Sequence, residues 1–196
     1  MWLKPFLVAL LSQLFITNIC FAQSIITEDG VSFPKVIKNS SGSDLFLNGI
    51  GYRKVTLFKI KVYAAGLYLH IPSENAHEIL AMNTEKRLRI HFLRDVSKDD
   101  VQEAFTDNFM DNNPESHFLS KINELSSMLP AVSENDELEI IFGETGISVN
   151  LNNQLLTHDN DKTFGTGVLR IWLGTEPPNR SLQKDILSRE SLAQDE

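Results

Sequence analysis

Apolar and polar positions alternate most regularly in the second half of the chain. From Glu137 to Phe142 and from Ile147 to Leu151, Leu138, Ile140 and Phe142 answer Ile147, Val149 and Leu151 across Gly143-Glu144-Thr145-Gly146. That pattern predicts a β-hairpin with one buried face. A turn at Asn152-Asn153 leads on to Gln154-Leu155-Leu156. From Arg87 to Val96, Leu88, Ile90 and Phe92 fall on one side of a strand and Arg87, Arg89 and His91 on the other. Nearer the start, Asp29-Gly30 marks a turn, Val31-Ser32-Phe33 alternates, and Pro34 confines its segment to an edge or a bend.

The longest apolar stretch is Leu47 to Leu69, LNGIGYRKVTLFKIKVYAAGLYL. Phe58, Ile60 and Val62 alternate against Lys59 and Lys61, which predicts a strand with one face inward. The run stays apolar to Leu69, so its second half is expected to be buried on both sides or to lie under a layer of helices. Gly49 and Gly51 share the side-chain parity of Arg53, and two missing side chains beside an arginine predict open space next to its guanidinium. Arg53 therefore has two readings, a group pointing into a cavity or a side chain snorkelling to water over its own methylenes.

Helical spacing fills the gaps between strands. Ser73 to Met82 reads as a short helix. Ser97-Lys98-Asp99-Asp100 reads as a capped start for a helix with Val101, Ala104, Phe105 and Phe109 on its apolar face. Asn108 falls on that same face, as a cavity group or as a core amide bonded to nearby backbone. Pro114 separates this helix from another, Glu115 to Leu129, and two more are expected at Lys162 to Leu173 and Asn179 to Ser188. In the helix from Lys162 to Leu173, Gly165 and Gly167 lower helix propensity and permit close approach.

Residues 1–22 carry one base, Lys4, then an apolar core and Cys20-Phe21-Ala22, the pattern of a secretory signal cleaved after Ala22. An exported, periplasmic protein is expected, with one domain over 23–188 and a frayed tail over 189–196. The leader holds no acid, so its removal takes the net charge of −8 to one unit more negative, which disfavours nucleic acid and anionic membrane surfaces. The single cysteine, Cys20, goes with the leader, leaving a domain that must be stable through its core. No later segment is long enough for stable membrane insertion. The five histidines lack ligand spacing, Asp159-Asn160-Asp161 reads as a solvated turn, and no metal or cofactor is expected.

The order Asn-Gly-x-Gly-x-Arg at 48–53, followed by Lys-Val-Tyr-Ala-Ala-Gly-Leu-Tyr-Leu at 61–69, resembles the signature of the chalcone isomerase-like proteins. The resemblance implies an α+β fold, a large antiparallel sheet layered with helices around a ligand cleft. It puts the family's cleft arginine on Arg53 and its asparagine on Asn108. Tyr63 stands where the isomerases have a threonine, Val101 where they have a tyrosine, and Gly165 near the hydroxyl of the last helix. A valine cannot stabilise charge developing in a cyclisation. Arg53 with Tyr63 is instead similar to the fatty-acid-binding relatives, in which that pair holds a carboxylate. The expected function is thus non-enzymatic binding of a fatty acid or similar apolar carboxylate by Arg53, Tyr63 and Asn108. An isomerase or lyase, and a structural or partner-binding protein with a vestigial cleft, are the alternatives.

Overall fold

The computed structural model describes residues 24–27, 29–55, 60–114 and 117–189. The expected signal segment and most of the expected tail lie outside that range. Seven strands form one antiparallel sheet in which each strand pairs with the next in sequence: β3 (Val36–Lys38), β4 (Asp44–Val55), β5 (Ile60–Leu69), β6 (Lys86–Phe92), β7 (Glu137–Phe142), β8 (Ile147–Leu151) and β9 (Gln154–Asp159). A separate two-stranded hairpin, β1 (Ser24–Ile26) and β2 (Ser32–Pro34), precedes it. The described residues also form five helices: α1 (Ala76–Ala81), α2 (Lys98–Asn112), α3 (Leu119–Ser127), α4 (Lys162–Leu173) and α5 (Arg180–Leu187). The expected α+β class and layered sheet are what the chain adopts.

The sheet has two apolar faces of unequal extent. The larger core unites Ala65, Leu67, Leu88, Ile90, Leu138 and Ile140 with helix residues such as Phe109, Ile122, Val168 and Trp172. On the opposite face, Ala64, Tyr68, Leu45 and Leu47 pack with Val31 and Phe33 of the N-terminal segment. Strand β5 is therefore buried on both sides from Ala64 to Leu69, as its unbroken apolar run requires. Where only one face is covered, the alternation is clean: β6 and β7 bury every second residue.

Three expectations need correction. Leu47 to Leu69 spans two strands, β4 and β5, which fold back on one another. Ile60, expected inward, is 40% exposed where the chain passes from β4 to β5, paired with Val55, and Phe58 and Lys59 lie outside the described residues. Helix α3 begins only at Leu119, after an N-cap Phe118 that supplies no side-chain bond, and α1 begins at Ala76 because Asn75 Oδ1 accepts from the N–H groups of His77 and Glu78. The expected cap of α2 is present, with Ser97 accepting from Asp100 N. Its far end is tied to α4 by Asn113, which donates to Gly167 O and accepts from Arg170.

The third correction concerns the glycines. Gly49 and Gly51 do not clear space beside Arg53; the backbone of α5 fills it. A Cβ on Gly49 would lie 2.4 Å from Asp185 O, and one on Gly51 would lie 2.7 Å from Leu182 O. Beside them, the fully buried Asn48 donates to Ile186 O and accepts from Ser73 N, at 2.9 Å each. The glycine-rich part of the motif is thus a seat for a helix, held by Leu182 and Ile186, each of which contributes about 1.5–3 kcal/mol by burial. Gly49→Ala must displace backbone and is expected to cost about 1–3 kcal/mol, with Tm falling roughly 2–4 °C per kcal/mol. Calorimetry against Gly143→Ala, whose Cβ would meet only Gly146 O at 3.6 Å, checks this. Equal Tm values for the two variants would show that α5 yields without strain.

Candidate functional site

Across three neighbouring strands, Arg53 of β4 pairs with Tyr63 of β5, and Tyr63 with Phe92 of β6. This row meets α2 and α4 along one side of a cavity of about 460 Å³, a size usual for small-molecule sites. Arg53 and Tyr63 from the sheet and Asn108 from α2 all line it, so the structure brings the three expected site residues to one cavity. The rest of the lining is chiefly apolar, with Val62, Ile90, Val101, Phe105, Ile171 and Trp172 prominent, while Arg94, Asp95 and Asp100 are exposed residues of the same cavity.

Arg53 uses one end of its guanidinium for the fold. Nη1 donates to Lys54 O and to Pro178 O, the carbonyl just before the Asn179 cap of α5. Nε and Nη2 have no partner among the described residues. Those two nitrogens form one edge of the planar fork, the edge geometry that matches two carboxylate oxygens. No described carboxylate forms an ion pair with Arg53. Asp95 and Asp100 are committed locally, Asp95 accepting from Glu134 N and Asp100 from the Ser97 hydroxyl.

Tyr63 is held from the helix layer. Trp172 Nε1 donates to its hydroxyl oxygen at 3.1 Å, and its ring meets Phe92 edge-on at 6.0 Å. Burial raises the Tyr63 pKa above its ordinary value of 10.0, an effect the Trp172 hydrogen bond and the Arg53 charge only partly oppose. The phenol is thus neutral and keeps its hydrogen. Asn108 donates from Nδ2 to Ala104 O, one turn back, and leaves Oδ1 without a partner among the described residues. Asn108 is half-buried, its amide tied to the backbone of its own helix, and it borders the cavity.

Val101 sits in the wall at 6% exposure, so that position presents a hydrocarbon surface. Gly165 is not in the wall. It faces β8, where a Cβ would lie 3.3 Å from that of Ile147, and Ile171 and Trp172 are the residues α4 gives to the cavity. Trp172 escaped sequence reasoning because its helical spacing with Phe164 and Val168 marks it as core. Only its indole N–H, a donor that burial obliges to find an acceptor, signals a second role.

A family profile described as chalcone isomerase-like matches residues 26–188. The chain belongs to that family. Among solved structures, a fatty-acid binding protein of Arabidopsis thaliana superposes with a TM-score of 0.66 at 19% identity, over 84% of this chain and 96% of that one. No functionally curated protein matches the sequence. Among the described residues of this chalcone isomerase-like protein, no helix is long and apolar enough to cross a membrane, and no three potential metal ligands gather.

The raised Tyr63 pKa has a consequence for alkaline stability. The unfolded phenol titrates near 10, while the folded one holds its proton longer, so its contribution is complete below about pH 10 and is lost as pH rises through the folded value. Tyr63→Phe is expected to lose unfolding free energy less steeply than the wild type between about pH 10 and pH 11. Urea melts across that range measure it, and parallel slopes would show a phenol that titrates alike in both states.

Proposed function

We propose that this protein is a non-enzymatic binder of a fatty acid or similar apolar carboxylate, held in the cleft between sheet and helices. The observation that carries the reading is an apolar cavity lined by Arg53, one guanidinium edge of which has no partner among the described residues, and by the neutral Tyr63. A carboxylate accepts from both and a chain fills the remainder. About a dozen buried methylenes at roughly 0.8 kcal/mol each give on the order of 10 kcal/mol gross, whereas the charged contact adds about 1.5–3 kcal/mol. The arginine orients; the chain supplies affinity. The likeness in fold to a fatty-acid binding protein supports this reading, and Val101 in the wall favours it over an isomerase or lyase.

Arg53→Ala is expected to weaken a long-chain fatty acid about ten- to a hundredfold and to leave its methyl ester nearly unchanged, because only the free acid accepts the charged fork. Titration calorimetry of both ligands decides it. Equal losses would mean that Arg53 acts solely through its bond to Pro178 O and the seating of α5.

We also propose that the protein is exported and that its mature chain starts at Gln23. Osmotic release followed by N-terminal sequencing is expected to find Gln23 first in the soluble fraction. Recovery with the membrane, through a lipid on Cys20, would overturn that.

A further inference from the structure

We propose that Trp172 makes this site selective for a hydrogen-bond acceptor by committing the Tyr63 hydroxyl to donation. The inference rests on the carboxylate-binding reading above and adds a residue that sets its specificity. An indole N–H can only donate. Trp172 is buried at 2% exposure near the end of α4, borders the cavity, and reaches across to Tyr63 on β5 at 3.1 Å. Its position is set by core packing, including an edge-on contact with Phe105 at 5.9 Å.

A phenol has one hydrogen to give and lone pairs to receive. Trp172 occupies the receiving side of Tyr63, and no described residue accepts the hydrogen that remains. Tyr63 thus offers the cavity a donor, and its partner in the row, Arg53, has nothing but donors. A carboxylate answers both groups with acceptors alone. An alcohol of the same length accepts one bond, but its own hydrogen finds no acceptor on Arg53 and, on Tyr63, only an oxygen already engaged by Trp172; of the three site residues that leaves it Asn108 Oδ1 alone, and a bond unmade on a desolvated hydroxyl costs affinity. Trp172 is a positioning residue in this scheme, acting on the ligand's head through Tyr63.

Trp172→Phe keeps an aromatic ring against Phe105 and removes the N–H together with the second ring of the indole. The oxygen of Tyr63 is then released to accept, so the ratio of dodecanoate to dodecanol affinity should fall roughly five- to tenfold, the scale of one neutral hydrogen bond. Calorimetry with these two probes reads that ratio. A ligand-free measurement accompanies it, because the chain has only two tryptophans, Trp2 and Trp172. In a ¹H–¹⁵N spectrum, the Trp172 indole peak should shift and exchange faster with solvent in Tyr63→Phe, which also decides the matter if Trp172→Phe does not fold. An unchanged ratio in a folded Trp172→Phe, or an indole peak indifferent to Tyr63→Phe, overturns the proposal and leaves the binder reading standing. Wild-type protein that fails to prefer dodecanoate over dodecanol removes the carboxylate reading itself, and this inference with it.

Discussion

The close seating of α5 on β4 is the constraint on which the site depends. At Gly49 and Gly51 the helix backbone lies nearer than any side chain would allow. Asn48 satisfies Ile186 O inside that contact, where an unpaired carbonyl would carry a desolvation cost. At the other end of the same strip, Arg53 holds Pro178 O and Asn179 reaches Lys54 O, so four motif positions act on one short helix. A helix of eight residues has little stability of its own. It is held in place by the strand, and in turn it keeps Arg53 beside the cavity.

Arg53 consequently holds the fold with one end of a planar group that also borders the cavity. A lysine could donate to Pro178 O, but its ammonium has no second edge to offer in a fixed plane. This anchoring also resolves how a charge is tolerated near an apolar wall without an ion pair. Two backbone carbonyls satisfy Nη1, and the side chain borders the cavity. Strand β5 contributes rigidity, since burial on both faces from Ala64 onward leaves little freedom for the segment that begins with Tyr63.

Away from the site, the sheet's second face is polar where the N-terminal segment does not cover it. Arg87 and Arg89 share Glu139, with Glu85 completing the group. This ladder accounts for the strict alternation of β6 and for the charged residues that sequence reading placed opposite Leu88 and Ile90.

Periodicity marked the individual strands and helices, because a strand covered on one face must alternate and a helix on a core must repeat every three to four residues, while the layered α+β class came from the family resemblance. The bounds of α4 and of the β7–β8 hairpin were legible for that reason. The family resemblance marked Arg53, Tyr63 and Asn108, and all three line one cavity. What the chain pattern could not carry was contact between distant segments. That Gly49 and Gly51 are filled by Leu182 and Asp185, that Gly165 faces Ile147, and that Trp172 reaches Tyr63 are facts about elements more than a hundred residues apart, or about which face of a helix meets which strand. A missing side chain looks the same in sequence whether a ligand or a helix takes its place, and only tertiary packing distinguishes them.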